Sequence, residues 1–350
     1  HFLWPSSHLL IINFMHLNPI IDCIPNFSEV QNMETLQAIA KAIKAIDGVK
    51  LMHIDQGKAA NRTVFTFAGV TEKVIEAAYQ AIKVASELID MRQQKGEHPR
   101  IGATDVCPLV PIANISMEEV QQLAEQLAER VGQLNIPVYL YEHSAKTPQR
   151  KNLATIRSGE YEGLADKMQL PEWQPDYGKN FNAETGATVI GARDFLIAYN
   201  VNLNTDSVAI ANKIAREVRT SGQLIKNGKG EKIRVAGKCQ ALKAIGWYIE
   251  EYGKAQVSMN LINYQLTGIH EAYEACKMAA EKYQVKVTGS ELIGLIPLSA
   301  ILAAGRFYLQ REGGPTDQSE QIIIETAVRH LGLAELAPFH YEERIIEYLL

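Results

Sequence analysis

The segment Asp90–Pro108 concentrates acids, an imidazole and several cations in a loop that is predicted between a helix and a strand. His98 lies within it between Glu97 and Pro99, and a residue that precedes proline is restricted to extended conformations. An imidazole held beside a carboxylate is a plausible proton acceptor near neutral pH. These residue types alone nevertheless favour a solvated surface loop over a catalytic one.

Asp55 is a second candidate, because it ends a predicted strand and opens a glycine-containing loop that carries Lys58, Asn61 and Arg62. A carboxylate at a strand end could orient an imidazole or hold a positively charged amidinium. The alternative is an acceptor in an Asx-type turn. The loop lacks the glycine and Ser/Thr spacing of a phosphate-binding P-loop.

The cysteines and the remaining histidines do not form a recognisable site. Cys107 lies in an apolar strand and is expected to belong to the core. No CxxC pair occurs, so neither a zinc site nor a disulfide framework is expected. His270 is predicted on a helix as a structural or surface residue, four positions before Glu274. The motifs of metalloproteases, serine hydrolases and Rossmann dehydrogenases are absent from the sequence.

Composition describes an ordinary globular chain of 350 residues, with 47% hydrophobic and 21% charged residues and a net charge of −5. The length favours two domains. The negative charge argues against a nucleic-acid-binding protein, and no apolar segment reaches the ~18 residues that a membrane helix needs. Residues 1–15 precede the domain pattern and carry no signal-peptide features, so we interpret them as a non-native or unstructured extension.

Hydrophobic periodicity in the first half predicts the order β-α-β-β-α-β, the split βαβ or ferredoxin-like unit. The predicted strands are 20–24, Val49–Asp55, Thr63–Phe67 and Ala103–Val110, and the predicted helices cover about 33–46 and 71–91. Ser28 or Asn32 is the expected cap of the first helix. A helix at about 117–133 and a strand over Val138–Glu142 extend the unit.

The second half repeats this order without obvious sequence similarity to the first. The predicted elements are strand Phe195–Leu203, helix 207–218, strands 233–245 and 255–263, helix 268–283 and strand Val285–Gly289. The predicted fold class is therefore α+β with two ferredoxin-like subdomains. Between the halves, residues 170–192 are rich in Pro, Gly, Asn and Trp, and they are as consistent with a simple linker as with a loop that stacks on a flat ligand.

Several longer motifs occur in one order along the chain. They are Cys23–Glu29, Asn61–Val64, Lys95–Arg100, Gly186–Thr188 with Gly191–Arg193, Ala255–Leu261 and Glu343–Tyr348. Together they resemble the glutamate formimidoyltransferase family over roughly residues 18–350. The resemblance displaces the surface-loop interpretation of residues 95–100.

The resemblance implies two ferredoxin-like subdomains, 16–192 and 193–350, with a folate in a groove between them. It implies a cytoplasmic homodimer that transfers a formimino group from N-formimino-L-glutamate to N5 of tetrahydrofolate in histidine degradation. Tetrahydrofolate is then a co-substrate, and neither a metal, a nucleic acid nor a membrane is an expected partner. The chain ends at the family's transferase boundary, so the cyclodeaminase activity of the animal members is not expected.

The resemblance also implies roles for residues of this sequence. The catalytic base falls on His98, and the acid at the strand end falls on Asp55. The candidate cations for the carboxylates of donor and folate are Lys58, Arg62, Arg100 and Arg193, with Arg favoured because its guanidinium pairs with a carboxylate through two hydrogen bonds. The folate-contacting segment falls on Gly178, Lys179, Asn180, Phe181, Asn182, Ala183, Glu184, Thr185 and Gly186.

The sequence departs from the family pattern in two places. The segment 178–186 is one residue shorter than in the family, and Val30 replaces a usual glycine. Two other functions stay open at this point: formyl transfer from N-formylglutamate on the same site, and folate binding without turnover. The presence of both His98 and Asp55 argues against the second.

Overall fold

A computed structural model describes residues 18–57, 61–96, 99–226, 228 and 230–350. The chain divides into two compact units, the first ending at Asp194 and the second formed by Phe195–Leu349. The extension predicted over residues 1–15 lies outside the described residues. No helix of the described part is long and apolar enough to cross a membrane.

The first unit is a mixed sheet with its three longer helices on one face and two short helices on the other. Its strands are β1 (Ile20–Cys23), β2 (Asn26–Phe27), β3 (Val49–Gly57), β4 (Arg62–Val70), β5 (Thr104–Ala113), β6 (Val138–Leu140) and β7 (Thr188–Ala192). Its helices are α1 (Met33–Lys44), α2 (Thr71–Leu88), α3 (Met117–Gly132), α4 (Leu153–Arg157) and α5 (Leu164–Lys167). The two short segments β1 and β2 both lie between β4 and β5, with antiparallel pairing on each side. Strand β3 pairs with the outer side of β4, and β7 and β6 extend the sheet beyond β5 in parallel.

Helix α1 begins where the sequence predicts. The Asn32 side chain accepts hydrogen bonds from the backbone N–H groups of Glu34 and Thr35, which satisfies two donors of the first turn. Of the two expected caps, Asn32 is therefore confirmed. Ser28 instead donates to the carbonyl of Gly102, 2.7 Å away.

Side-chain alternation gives the first sheet two faces of different character. Ile21, Phe65 and Leu109 pack with α1, α2 and α3 in one buried cluster. Their sequence neighbours point to the other side, which we call the distal face. Part of the distal face is covered by a second cluster, which includes Val106, Tyr139 and residues of α4 and α5.

The second unit has a four-stranded antiparallel sheet in the order β11-β12-β8-β13 and a separate hairpin of β9 and β10. Its strands are β8 (Ile197–Leu203), β9 (Gln223–Lys226), β10 (Lys232–Val235), β11 (Leu242–Ile249), β12 (Lys254–Leu261) and β13 (Val287–Ile293). Its helices are α6 (Val208–Val218), α7 (Ile269–Lys282), α8 (Leu298–Arg311), α9 (Glu320–Leu331) and α10 (Ile346–Leu349). One core cluster joins this sheet to helices α6–α9.

The α+β class is confirmed, and several local predictions are wrong. Residues 188–192, predicted within the connection between the halves, form β7 of the first sheet. The strand predicted over 233–245 is in fact two, β10 and β11. They are separated because Lys238 and Cys239 donate their backbone N–H groups to carbonyls at the end of α6. Gln56 and Gly57, predicted in a loop, extend β3 by pairing with β4.

Candidate active site

The loop that carries His98 is described on both sides of that residue. His98, Glu97 and Lys58 themselves lie outside the described residues. On the C-terminal side, Arg100 is 6% exposed, and its Nη2 donates back to the Gln94 carbonyl at 2.9 Å. This bond ties the residue that begins the loop to one that follows His98 in the sequence.

The Arg100 guanidinium is held by two acids. Its Nη2 lies 2.7 Å from Glu162 Oε1, and its Nη1 lies 3.1 Å from Glu160 Oε2. Lys95, Gly96 and Arg100 line a cavity of about 450 Å³ together with residues of this acidic turn. Arg100 was expected to bind a substrate carboxylate, but its guanidinium is already paired with two carboxylates of the protein.

The N-terminal side of the loop is held by Asn61. The Asn61 Nδ2 lies 2.8 Å from both Gln94 Oε1 and the Lys95 carbonyl oxygen. Gln94 in turn donates to Glu29 Oε2 at 3.2 Å. The other oxygen of Glu29 accepts the backbone N–H groups of residues 30–32 at 2.7 to 3.0 Å, just ahead of α1. Residues distant in sequence thus converge on the start of the loop.

Asp55 and Arg62 lie on the distal face of the sheet. Asp55 is half-buried on β3 opposite Val64, and Arg62 opens β4 opposite Gly57. Burial lowers the pKa of the Arg62 guanidinium to about 10, and the positive charge of Arg157 adds to this shift. The carboxylates of Asp105 and Asp55 oppose the shift, so all four groups share one local electrostatic field.

Asp105 and Arg157 form an ion pair that sequence reasoning missed. The Arg157 Nη2 contacts Asp105 Oδ2, and the side chains are only 11% and 1% exposed. Asp105 also accepts the backbone N–H of Ile101 at 3.0 Å, which fixes the chain directly after Arg100. Asp105 follows a small residue at the start of an apolar strand, and Arg157 is 52 positions away, so no spacing links the two.

The segment 178–186 bonds to the chain on both sides of the loop that carries His98. The Glu184 carbonyl accepts the N–H of Met91, and the Thr185 carbonyl accepts the N–H of Ala103. Gly186 has φ +63°, and a Cβ on it would lie 2.1 Å from the Ile101 carbonyl oxygen. The structure therefore brings two stretches together that the sequence separates by about 80 residues, and a glycine permits the contact.

Within this segment, Asn182 organises the turn. Its Oδ1 accepts the N–H groups of Glu184 and Thr185, and its Nδ2 donates to the Asn135 carbonyl. Side chains from Asn180 to Glu184 line a cavity of about 270 Å³ with Arg92 and Asn135. Of the predicted folate residues, Lys179, Asn180, Ala183 and Glu184 are exposed, whereas Thr185 and Gly186 are buried.

Arg193 stands apart from the other predicted cations. It follows β7 and lies beside Val110 of β5. Val106, four positions earlier on β5, is level with Asn26 and Val64 across the sheet. At 3.3 Å per strand residue, this separation is roughly 13 Å. Its guanidinium donates to the Asp194 carbonyl at 2.9 Å. Arg193 thus lies on the same distal face as Arg62 but in another part of it.

Asp22 is a further acid that sequence reasoning missed. It is fully buried on β1, and neither carboxylate oxygen has a hydrogen-bond partner among the described residues. Burial raises the pKa of its carboxyl to about 8, while the charge of Arg193 opposes the rise. The sequence does contain a sign of it: a single acid within the apolar run Ile20–Ile24.

The cysteines are confirmed as core residues. The sulfurs of Cys23 and Cys107 lie 3.5 Å apart as free thiols in the first unit. Burial raises the pKa of the Cys23 thiol well above its ordinary value, which disfavours the nucleophilic thiolate. Within the described residues, no group of three or more His, Cys, Asp or Glu side chains could hold a metal ion.

Comparison with known proteins gives consistent matches over both units. The N-terminal subdomain of the formiminotransferase domain matches residues 20–193, and the formiminotransferase domain matches residues 198–350. A protein of Streptococcus pyogenes serotype M1 named glutamate formimidoyltransferase is 43% identical over 295 residues, which is 84% of this chain and 94% of that protein. A protein of Thermoplasma acidophilum with the same name is 40% identical, over 84% of this chain and 93% of its own length.

Longer relatives match as well. The formimidoyltransferase-cyclodeaminase of Rattus norvegicus is 44% identical over 336 residues, which is 95% of this chain. The chain spans about 60% of the length of this relative.

Proposed function

The chain belongs to the formiminotransferase family, and we propose on that premise that it is a glutamate formimidoyltransferase. It transfers the formimino group of N-formimino-L-glutamate to N5 of tetrahydrofolate, which yields 5-formiminotetrahydrofolate and L-glutamate. The observation that carries the proposal is the 43% identity to a protein of that name across 94% of its length. The ion-pair network around the loop of residues 94–100 is consistent with a site built around that loop.

We assign the two proton transfers of the reaction to His98. Attack of N5 on the formimino carbon forms a new C–N bond, and N5 must lose a proton. The bond from the carbon to the glutamate nitrogen then breaks, and that nitrogen must gain a proton. One imidazole can take the first proton as general base and return it as general acid, which typically contributes about 10²–10⁴-fold to the rate.

Asp55 stabilises the positive amidinium of the donor or orients the imidazole. Support for this role comes from its position on the distal face, where it shares an electrostatic field with Arg62, Asp105 and Arg157. A carboxylate in partly buried surroundings stabilises a developing positive charge more strongly than it would in water.

The substrate carboxylates require cations, and Arg62 is the cation that we favour. Its lowered pKa reflects burial that the Asp55 and Asp105 charges do not fully offset. An anion beside Arg62 would offset part of the free-energy cost of burying its positive charge. Lys58 and Arg193 remain further candidates, whereas Arg100 is already paired with Glu160 and Glu162.

Tetrahydrofolate is proposed to contact the segment 178–186. Support comes from the carbonyls of Glu184 and Thr185, which bond to the residues that flank the catalytic loop. Phe181 and Tyr161 have ring centroids 6.3 Å apart, an aromatic pair beside the loop on which a flat pterin could stack.

We assign both units to the ferredoxin-like class, as subdomains 16–192 and 193–350. Each unit has the element order β-α-β-β-α-β and the strand order 2-3-1-4 within it. A cytoplasmic homodimer acting in histidine degradation completes the proposal and is carried by the family resemblance.

The test compares purified wild type with His98→Ala. Release of L-glutamate and formation of 5-formiminotetrahydrofolate are followed by mass spectrometry, with N-formimino-L-glutamate and N-formyl-L-glutamate as alternative donors. We expect a loss of about 10²-fold or more in kcat for His98→Ala with the formimino donor.

The matched control is His340→Ala, which removes an exposed histidine of the second unit. It should retain the wild-type rate. Undiminished turnover in His98→Ala would contradict the assignment of the base. Faster transfer from N-formyl-L-glutamate would replace the proposed donor.

A further inference from the structure

Asn61 combines two properties that suit it to hold a loop in place. It is 8% exposed, and its backbone has φ +45°, a left-handed conformation that asparagine tolerates better than most residues with a side chain. Its side chain turns toward the catalytic loop and donates to Gln94 Oε1 and to the Lys95 carbonyl oxygen, both at 2.8 Å. Both hydrogens of one amide are thus used on two consecutive residues.

The first of these acceptors is itself fixed. Gln94 Nε2 donates to Glu29 Oε2, while Glu29 Oε1 receives three consecutive backbone N–H groups. Thr63, two residues after Asn61, donates its hydroxyl to the Glu29 carbonyl at 2.6 Å. The start of β4, the approach to α1 and the start of the loop therefore form one hydrogen-bonded unit.

The far end of the loop closes onto the same point. Arg100 donates to the Gln94 carbonyl, and Ile101 is fixed by Asp105. Four residues, 96–99, connect the Lys95 carbonyl held by Asn61 to the buried Arg100. His98 follows Lys95 by three residues in the sequence, so a shift of the Lys95 backbone would be passed along the chain to it.

We propose that Asn61 is a positioning residue for His98, acting through the Gln94–Lys95 backbone and not through contact with substrate. The inference rests on the proposed function, in which His98 moves the protons. Asparagine is suited to the position because glycine would supply the left-handed backbone without the donors. Aspartate would place a carboxylate against two acceptor oxygens.

The experiment is a double-mutant cycle between Asn61→Gly and His98→Ala. Asn61→Gly removes the amide while keeping the backbone conformation accessible. We expect kcat to fall about 10²-fold, because a displacement of about 1 Å at a catalytic group can cost that much. The KM for both substrates should change less than about threefold, since ground-state binding is not removed.

In the His98→Ala background, Asn61→Gly should lower the residual rate less than about twofold, because the residue it positions is already gone. A general structural defect would instead lower the rate by a similar factor in both backgrounds. Asn61→Asp serves as the second variant, since it keeps the size of the side chain. It is expected to lose kcat as Asn61→Gly does.

Asn114→Gly is the matched control. Asn114 also has a left-handed backbone, with φ +53°, and its amide donates to the Asn18 carbonyl at the opposite end of β5. It should retain wild-type kcat. Thermal unfolding of every variant distinguishes a loss of fold from a loss of the position of His98.

The outcomes separate the inference from its premise. No formimino transfer by the wild type overturns the proposed function and the inference together. Full turnover by His98→Ala overturns the assignment of the base, and the inference with it, but leaves the proposed function in place. Two results would overturn the role of Asn61 alone. One is a strong effect of His98→Ala together with an equal effect of Asn61→Gly in both backgrounds, and the other is wild-type kcat in Asn61→Gly.

Discussion

The distal face of the first sheet and the corresponding face of the second sheet differ in how their buried polar groups are satisfied. In the second unit, Asn202 donates to Glu335 Oε2 at 2.7 Å and accepts from Gln256 at 2.8 Å. Gln256 also accepts from Trp247 and donates to Glu291. Neutral amides thus connect the acids of this face into one network.

The first unit buries charged groups, whereas in the second unit amides bridge the acids, of which Glu335 also pairs with Lys254. Asp22 has no hydrogen-bond partner among the described residues, the pKa of Arg62 is lowered, and Asp105 pairs with Arg157 in buried surroundings. A satisfied amide network stabilises a face, whereas buried charges cost free energy that a fold alone does not require. The difference is consistent with the proposal that the reactive residues lie in the first unit.

The largest expected effect concerns Asp22 and pH. Its pKa is about 8 in the folded chain and 3.8 in its ordinary state, so the folded chain binds the proton more tightly. The free energy of unfolding should therefore fall as pH rises from about 4 to about 8. Relative to Asp22→Asn, the wild type should lose on the order of 4 kcal/mol between pH 5 and pH 8, at about 1.4 kcal/mol per pKa unit.

Urea unfolding at the two pH values measures this difference. Asp206→Asn, at an exposed acid of the second unit, is the control and should follow the wild type within about 0.5 kcal/mol. Parallel pH dependence of wild type and Asp22→Asn would show that the buried carboxyl is satisfied in solution and would weaken the contrast between the two faces.

The next effect concerns the buried ion pair of the first unit. Arg157→Met removes the partner of Asp105 and leaves a carboxylate that is 1% exposed, so we expect a loss of about 3 kcal/mol in the free energy of unfolding. In the second unit, Arg329 and Glu312 form a pair whose side chains are 65% and 40% exposed. Arg329→Met should cost about 0–1 kcal/mol by the same urea measurement. Equal losses in the two variants would contradict the distinction between the units.

The smallest of the three expected effects is on the rate of catalysis. Asp55→Asn should lower kcat about 10²-fold, since a preorganised charge near the reacting atoms commonly contributes that much, and leave stability nearly unchanged. Glu250 directly follows β11, the strand that takes the place of β3 in the second unit, and Glu250→Gln is the control. Glu250→Gln should keep the wild-type rate in the same formimino-transfer assay. A comparable rate loss in both would assign chemistry to both units.

Local patterns predict the elements of this fold better than its site. The apolar spacing of the first helix and the cap at Asn32 are properties of neighbouring residues, and both are confirmed. Asp105 and Arg157 meet only because β5 and α4 pack together, and no periodicity encodes that distance. The motifs of the resemblance drew attention to Asn61, but its contacts with Gln94 and Lys95 depend on the pairing of distant segments.

Because the cysteines are buried, their reactivity can report how often each unit opens. Each unit contains two free thiols, Cys23 and Cys107 in the first and Cys239 and Cys276 in the second. Burial raises the pKa of Cys239 to about 11 and that of Cys276 further, so these thiols are protonated and shielded in the native state. Alkylation must therefore wait for a local opening event. The rate at which a reagent labels each pair reports the opening frequency of its own unit, without any engineered probe.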